Sequence, residues 1–212
     1  MTTVSLERQI AEALLSIGAV SLRPEQPFTW TSGIKSPIYC DNRLTMSHPA
    51  IREKIANGFA AHIQEYYPEA EVVAGTATAG IPHAAWVAQK LGLPMIYVRD
   101  KAKGHGKQNL IEGELKKGQK VVVIEDLIST GGSSLKAAQA VNEAGGQALA
   151  VLAIFTYQFE KAEAAFREGG IPLRTLSNYT ALIEEAVRSN RIRPEDVEAL
   201  SAWRLQPETY YK

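Results

Sequence analysis

The chain has 212 residues, a length that suits one domain with a full hydrophobic core, and its 23 basic and 23 acidic residues give a formal net charge of zero. A neutral chain has no overall basic field to attract nucleic acid or an anionic membrane, so any anion binding must come from a local cluster. No apolar run approaches the ~20 residues that a membrane span needs. Cys40 is the one cysteine, which predicts a buried thiol in a protein of the reducing cytoplasm.

The N-terminal part predicts two helices separated by an irregular segment. Residues 4–17 have the apolar periodicity of an amphipathic helix, and residues 47–67 predict a second helix with a proline in its first turn. Between them, residues 19–43 contain three prolines and two short extended stretches, at 28–31 and 38–40. We interpret this segment as a small cap on the main domain.

From residue 71 onwards, predicted strands and helices alternate. The strands are 72–74, 94–98, 120–125, 148–155 and 173–176, and the helices are 81–91, 132–144, 159–168 and 178–188. This alternation predicts an α/β fold with an open, mostly parallel central sheet and helices on both faces. Residues 1–212 would form a single domain with the segment 19–43 as its cap, and ligands would bind at the carboxyl ends of the strands.

Two regions carry no regular pattern. Residues 99–113 are polar and rich in glycine, and therefore predict a long loop. The C-terminal segment from Asn190 to Lys212 gives no functional signal. Its aromatic residues Trp203, Tyr210 and Tyr211 are expected to pack against the domain or to support a dimer.

The strongest chemical signal is the run VVVIEDLISTGGSS at residues 121–134. A buried strand brings Glu125 and Asp126 to the ligand edge of the sheet, and a turn of hydroxyl residues and glycines then opens a helix. Backbone N–H groups at a helix N-terminus bind phosphate, and small residues allow its close approach. The two carboxylates can accept hydrogen bonds from the vicinal hydroxyls of a ribose. One short run could therefore bind both ends of a ribose 5-phosphate. We favour this interpretation over the alternative, in which the two acids are solvated and the hydroxyl residues only cap the helix.

A second loop follows the strand at residues 72–74. Residues 75–80, GTATAG, have the spacing of a nucleoside triphosphate-binding loop, but Ile81 and Pro82 follow where Lys and Ser or Thr are required. A loop of small residues at a strand end can still present main-chain amides to a pyrophosphate. The alternative is a tight turn that needs small residues.

A cationic, glycine-rich stretch occupies residues 99–109. Its basic residues are Arg99, Lys101, Lys103, His105 and Lys107. Taken alone, such a stretch is more often a solvated run of charges. Beside a ribose phosphate motif, it is suited to closing over a polyanionic leaving group.

Together these motifs resemble one enzyme family. Residues 121–134 resemble the phosphoribosyl pyrophosphate signature of the type I phosphoribosyltransferases, which is highly specific. Arg99, Lys103 and His105 match the R-x-x-x-K-x-H-G loop of the orotate phosphoribosyltransferases, and residues 28–37 resemble the F-T-x-x-S-G-x-x-S-P stretch of their cap. The resemblance spans roughly residues 6–187.

The resemblance implies a transfer of the phosphoribosyl group of phosphoribosyl pyrophosphate to orotate in pyrimidine nucleotide synthesis. It implies catalytic roles for Lys103, His105 and Asp126, and contacts of orotate with Ser129, Lys35 and Tyr39. The implied phosphoribosyl pyrophosphate contacts are Thr76, Ala77, Thr78, Arg99, Lys103, His105, Glu125, Asp126, Leu127, Ile128, Ser129, Thr130, Gly131, Gly132 and Ser133. Mg²⁺ would be bound mainly through the substrate, with no metal site made by protein ligands alone. The loop 99–109 would be shared between the subunits of a homodimer.

Three cations that some family members have are absent here. Thr31 stands in place of a lysine, Thr78 and Ala79 in place of a Tyr-Lys pair, and Gln158 near the position of an arginine that contacts the base. Lys35 or Arg43 are candidates to compensate for the orotate carboxylate.

Two other functions fit parts of the sequence. A phosphoribosyltransferase for a purine would share the ribose phosphate motif, but the Lys103 and His105 loop favours orotate. A regulatory protein that binds phosphoribosyl pyrophosphate without catalysis generally needs a nucleic-acid-binding module, and this neutral chain has no basic patch for one.

Overall fold

The computed structural model describes residues 4–30, 32–101 and 110–211. Its cap consists of two small antiparallel sheets. Strand β1 (Val20–Leu22) pairs with β4 (Ile38–Cys40), and β2 (Phe28–Thr29) pairs with β3 (Lys35–Ser36). These ladders are too short to be stable alone, so the cap depends on its contacts with the rest of the chain.

The main domain is built on a six-stranded sheet. Its strands are β5 (Val72–Thr76), β6 (Met95–Val98), β7 (Ile111–Glu112), β8 (Lys120–Ile128), β9 (Gln147–Thr156) and β10 (Leu173–Asn178). Their order across the sheet is β10-β9-β8-β5-β6-β7, and every neighbouring pair is parallel except β6 with β7. This architecture confirms the predicted open, mostly parallel sheet.

Seven α-helices and one 3-10 helix surround this sheet in the described ranges. They are α1 (Leu6–Ser16), the 3-10 helix Asn42–Ser47, α2 (Pro49–Tyr66), α3 (Gly80–Leu91), α4 (Gly132–Glu143), α5 (Glu160–Gly169), α6 (Tyr179–Arg188) and α7 (Asp196–Leu205). Ser5 caps α1 and Asn178 caps α6, each by accepting a main-chain N–H of the first turn.

Both faces of the sheet are buried, because successive side chains of a strand point to opposite sides. Val121 and Val123 pack in one layer with the helices α4 and α5, while Val122 and Ile124 pack in the other with α1, α2, α3 and α6. An unbroken apolar run in β8 is thus required by the fold. Cys40 is buried in the second layer, as predicted, and burial raises the pKa of its thiol.

Several boundaries differ from the sequence-based prediction. The predicted loop 99–113 contains the edge strand β7, which needs only a two-residue pairing with β6 and so has no periodic signal. Strand β8 continues past the acidic pair to Ile128, because β9 continues to pair with it. Helix α2 begins at Pro49 after a separate 3-10 helix. The C-terminal segment forms α7, and its Trp203 is fully buried, which confirms the predicted packing role.

Candidate active site

The strand order reverses between β5 and β8, so their carboxyl ends and the loops that follow lie side by side. Their residues pair in parallel from Val72 with Val121 to Gly75 with Ile124. A reversal of this kind opens a crevice at the sheet edge, where open α/β sheets bind ligands. The two loops predicted to bind phosphate, residues 75–80 and 129–133, follow these strand ends and contribute residues to the crevice.

The acidic pair lies at the end of β8 with unequal surroundings. Glu125 is only 7% exposed, and its carboxylate accepts hydrogen bonds from the Ser134 hydroxyl at 2.9 Å and from the main-chain N–H of Asp126 at 3.0 Å. Burial, together with the nearby carboxylate of Glu125, raises the pKa of Asp126 to about 7. Glu125 is therefore held in place by the protein, whereas burial and the neighbouring carboxylate disfavour the ionised form of Asp126.

Residues 129–133 form a turn that enters helix α4. Gly131 has a φ of 78°, a left-handed conformation that favours glycine, and a Cβ there would approach the Phe166 ring to 2.8 Å. The N-cap residue of α4 is Gly131, which has no side chain to cap the helix, so the amides of its first turn can bind a phosphate. Ile128, which was also predicted to contact phosphoribosyl pyrophosphate, precedes this turn. Its side chain is buried in the core, and its carbonyl accepts a hydrogen bond from the Tyr157 amide. A ligand contact of Ile128 would therefore have to come from its main chain.

The end of β5 and the loop that follows it are held against β8 on one side and β6 on the other. The Thr76 hydroxyl donates to the Ile124 carbonyl at 3.2 Å, and the Ala77 amide donates to the Val98 carbonyl at 2.8 Å. A Cβ on Gly80 would collide with the Ile124 carbonyl oxygen and the Thr76 hydroxyl, so this glycine is required by close packing. Ala77 and Thr78, which are joined by a cis peptide, line the crevice, whereas the Thr76 side chain is buried.

A pocket of about 810 Å³, here called the pyrophosphate pocket, lies between these loops and the cap. It is lined by the acidic pair, by residues of both loops including Ser133, and by Asp41, Arg43 and Asp100. Arg43 is the one cation among the described residues that line it, and its guanidinium binds both carboxylate oxygens of Asp41, at 2.7 and 2.9 Å. This contact holds the pKa of Asp41 below its ordinary value.

The cationic loop is only partly described. Arg99 follows β6 and forms an ion pair of 3.3 Å with Glu112 of β7. Lys103 and His105, which were predicted to be catalytic, lie outside the described residues.

A second pocket, here called the base pocket, lies between the cap and the carboxyl end of β8. Its volume is about 490 Å³, and it is lined by Thr29, Trp30, Ser32, Tyr39, Cys40, Leu127, Ser129 and Tyr157. Tyr39 and Ser129, which were predicted to bind orotate, both lie here. The third predicted residue, Lys35, is not among these lining residues. The base pocket and the pyrophosphate pocket share Cys40 and Leu127, so they meet at this point.

The positions of the missing family cations differ in their surroundings. Thr31 lies outside the described residues, and Ala79 lines the pyrophosphate pocket. Gln158, at a φ of 56°, accepts hydrogen bonds from the amide and the hydroxyl of Thr180 at the start of α6. Its side chain thus stabilises a helix end and faces neither of the two pockets.

Two contributors were missed by the sequence analysis. Asn42 is fully buried, and its amide donates to the main-chain carbonyl of Asp126 at 2.7 Å, which ties the cap to the acidic strand end. Tyr157 lines the base pocket from the end of β9. A polar residue two positions after β4 and an aromatic one directly after β9 were visible signals, but only the folded chain places them at the crevice.

The described residues contain no group of three or more His, Cys, Asp or Glu side chains that could hold a metal ion. Within the same ranges, no helix has the length and apolar character needed to cross a membrane.

Comparison with known proteins agrees with this geometry. A family model for the phosphoribosyl transferase domain matches residues 46–178. The orotate phosphoribosyltransferase of Enterococcus faecalis strain OG1RF is 58% identical over 212 residues, 100% of both chains. The crystal structure of orotate phosphoribosyltransferase from Aeropyrum pernix gives a TM-score of 0.73 at 29% identity, covering 83% of this chain and 97% of its own. The Mycobacterium tuberculosis enzyme in complex with phosphoribosyl pyrophosphate gives 0.65 at 25% identity, covering 84% and 98%.

Proposed function

This chain belongs to the orotate phosphoribosyltransferases, and we propose that its two adjoining pockets hold the two substrates of that reaction. The enzyme transfers the phosphoribosyl group of phosphoribosyl pyrophosphate to orotate, giving orotidine 5′-monophosphate and pyrophosphate in pyrimidine biosynthesis. The observation that carries the assignment of the pockets is their junction at Cys40 and Leu127. An anomeric carbon at this junction would have the base on one side and the pyrophosphate on the other.

In this proposal, the ribose lies over the end of β8. Glu125 and Asp126 accept hydrogen bonds from its two hydroxyls, and the turn 129–133 with the first amides of α4 binds the 5-phosphate. The support is the geometry of a buried, fixed Glu125 beside an Asp126 that lines the pocket. Tyr39 and Ser129 would contact orotate in the base pocket, with Lys35 or Arg43 as candidate partners of its carboxylate. Arg43, however, lines the pyrophosphate pocket and would meet the leaving group first.

The chemistry follows from the charges that develop during the transfer. As the bond from the anomeric carbon to pyrophosphate lengthens, positive charge grows on the ribose and negative charge grows on the leaving group. The carboxylate of Asp126 is proposed to stabilise the positive charge on the ribose. Arg99, Lys103 and His105 are proposed to stabilise the negative charge on pyrophosphate, with His105 hydrogen-bonding or protonating this leaving group. Arg99 would have to exchange its ion pair with Glu112 for the pyrophosphate. Closure of the loop 99–109 would exclude water, which would otherwise hydrolyse the activated ribose.

Mg²⁺ is proposed as the cofactor of this reaction. The ion usually keeps several waters and takes one or two carboxylates together with substrate phosphates. The residues present fit that mode, because Asp126 and Glu125 place carboxylates at the pocket without forming a cage of several ligands. When bound, the ion would supply positive charge to the pyrophosphate oxygens.

The proposal extends to a homodimer in which the loop 99–109 of one subunit acts at the site of the other. Its support is the family resemblance of Arg99, Lys103 and His105. A cytoplasmic location is also proposed, since the one cysteine is kept as a buried thiol.

The deciding experiment compares acceptor bases at fixed phosphoribosyl pyrophosphate and Mg²⁺. Loss of orotate absorbance should accompany pyrophosphate release, with no comparable turnover of uracil, adenine or guanine. Asp126→Asn serves as the inactive control for the same preparation. Turnover of a purine in preference to orotate would overturn the proposed occupant of the base pocket, whereas binding of phosphoribosyl pyrophosphate without turnover of any base would favour a regulatory protein.

A further inference from the structure

The C-terminal segment, residues 190–211, lines neither of the two pockets described so far, yet it is firmly packed. Trp203 of α7 is fully buried, and its ring contacts Phe159 and Tyr179 at centroid distances of 5.7 and 5.9 Å. The Tyr179 hydroxyl also donates to the Leu200 carbonyl at 3.0 Å. One helix of this segment is thereby anchored to the core of the main domain.

The same segment also contacts the cap. The Trp203 Nε1–H donates to the main-chain carbonyl of Lys35 in β3 at 3.0 Å, and the Tyr211 hydroxyl donates to the Pro24 carbonyl at 3.1 Å. The hairpin of β2 and β3 has only two paired residues in each strand, so it needs such external contacts to keep its position. The C-terminal segment therefore joins the cap to the main domain.

Trp30 connects this junction to the base pocket. Its ring meets the Trp203 ring edge-on at 5.9 Å and lies 5.2 Å from the Tyr157 ring, while its Nε1–H donates to the Ile38 carbonyl at 3.2 Å. Trp30 and Tyr157 both line the base pocket. A displacement of Trp203 would thus act on Trp30 directly and, through Trp30, on Tyr157.

We infer that Trp203 is a positioning residue for the orotate pocket, which it shapes by holding Trp30 and the β2–β3 hairpin against Tyr157. Within the described ranges, no residue of the C-terminal segment lines the pyrophosphate pocket, and neither do the aromatic residues that pack on the Trp203 ring or the acceptor of its Nε1–H. A substitution of Trp203 should therefore raise the KM for orotate and leave the KM for phosphoribosyl pyrophosphate nearly unchanged. This inference rests on the proposed function, because it assumes that orotate occupies the base pocket.

The test measures both Michaelis constants in full-length variants. Trp203→Phe keeps an aromatic ring but removes the donor to Lys35, and Tyr211→Phe removes only the hydroxyl that binds Pro24. Loss of one such hydrogen bond should raise the KM for orotate about 3- to 10-fold in Trp203→Phe and about 2- to 3-fold in Tyr211→Phe. The KM for phosphoribosyl pyrophosphate should stay within about 2-fold in both. Tyr210→Phe, which alters an exposed neighbouring tyrosine, is the matched control and should change neither constant.

Equal changes in both constants, or unchanged constants in a folded Trp203→Phe protein, would overturn the inference. If Trp203→Phe does not fold, Tyr211→Phe decides: a selective rise in the KM for orotate supports the inference, and its absence rejects it. Failure of the wild-type chain to turn over orotate would overturn the proposed function and this inference with it. Normal wild-type turnover without a selective effect in the variants would overturn the inference alone.

Discussion

The main-chain N–H of Asp126 donates to the Oε1 atom of Glu125 at 3.0 Å, so the first acid of the pair is held by the backbone of the second. Ser134 holds the other oxygen of Glu125. Two hydrogen bonds from the protein therefore hold the Glu125 carboxylate, whereas burial and the carboxylate of Glu125 disfavour the ionised form of Asp126. The two adjacent acids are predicted to differ in their importance for the reaction.

We expect Asp126→Asn to lower kcat/KM for phosphoribosyl pyrophosphate about 10²-fold or more, because it removes a charge that stabilises the developing cation. Glu125→Gln should lower kcat/KM less, since a glutamine can still accept the Ser134 hydrogen bond. The double variant should be the least active. Steady-state kinetics on folded variants measures this order. Near-normal activity of the double variant would contradict the assignment of the ribose site.

The raised pKa of Asp126 predicts a pH dependence of stability. Between about pH 4 and 7, the unfolded chain has this acid ionised, while the folded chain keeps it protonated and so binds more protons. Its contribution to the free energy of unfolding therefore falls as the pH rises through this window, and the loss is complete above pH 7. Asp126→Asn removes this effect, so its melting temperature should exceed that of the wild type by an amount that grows from pH 4 to 7.

Each kcal/mol of this difference corresponds to about 2–4 °C in a domain of this size. Thermal unfolding of the two ligand-free proteins at pH 4, 5.5, 7 and 8 makes the comparison. A difference that stays constant from pH 4 to 8 would show that the carboxyl of Asp126 ionises at its ordinary pKa, and a difference that shrinks towards pH 7 would show that its pKa is lowered in the folded protein.

Two neighbouring glycines are predicted to respond differently to substitution. Gly131 has a positive φ and lies against Phe166, so Gly131→Val should strain the turn and lower the melting temperature. A Cβ on Gly132 meets no atom within 4 Å, so Gly132→Val should leave the fold intact while it crowds the amides of α4 and raises the KM for phosphoribosyl pyrophosphate. Melting curves and kinetics of both variants separate the two effects. An unchanged KM in a folded Gly132→Val protein would remove the support for a phosphate site at these amides.

Metal removal should abolish activity and leave the fold unchanged. A chelator would take Mg²⁺ from its complex with the substrate and so stop turnover. Because the described residues offer no cluster of metal ligands, the melting temperature of the substrate-free protein should be the same with and without the chelator. Added Mg²⁺ in excess should restore turnover. A fall in melting temperature on chelation without substrate would instead indicate a structural metal.

Sharing of the loop 99–109 predicts complementation between two inactive proteins. Lys103→Ala and Asp126→Asn homodimers should each be nearly inactive. In a mixed dimer, one site carries both lesions and the other has an intact loop and an intact ribose site, so up to about half of the wild-type activity per heterodimer should return.

Activity is measured against mixing ratio, after exchange of differently tagged subunits has been verified. If heterodimers have formed but the activity of the mixture stays at that of the two parent homodimers, the loop acts at the site of its own subunit.

The sequence predicted those features whose signals are local. The apolar run 121–124 followed by Glu125 and Asp126 indicated both a buried strand and the acids at its end, and the confirmed sheet places them at the ligand edge. The alternation of strands and helices predicted the parallel sheet because a crossover helix must separate parallel neighbours. The aromatic content of the C-terminal segment indicated packing, which buried Trp203 confirms.

The remaining features depend on contacts between residues distant in sequence. Nothing near Asn42 predicts its hydrogen bond to the Asp126 carbonyl, and nothing near Trp203 predicts its bond to Lys35, because each pairing joins separate elements. Gln158 stands near the position of a family cation, yet its left-handed backbone turns it towards Thr180. The amino-acid sequence by itself indicated which groups we propose to bind the ribose phosphate, since a strand end and a helix N-terminus are local structures. Only the tertiary structure decided which residues form the walls of the base pocket, because they come from the cap and from the ends of strands that meet only when the sheet has assembled.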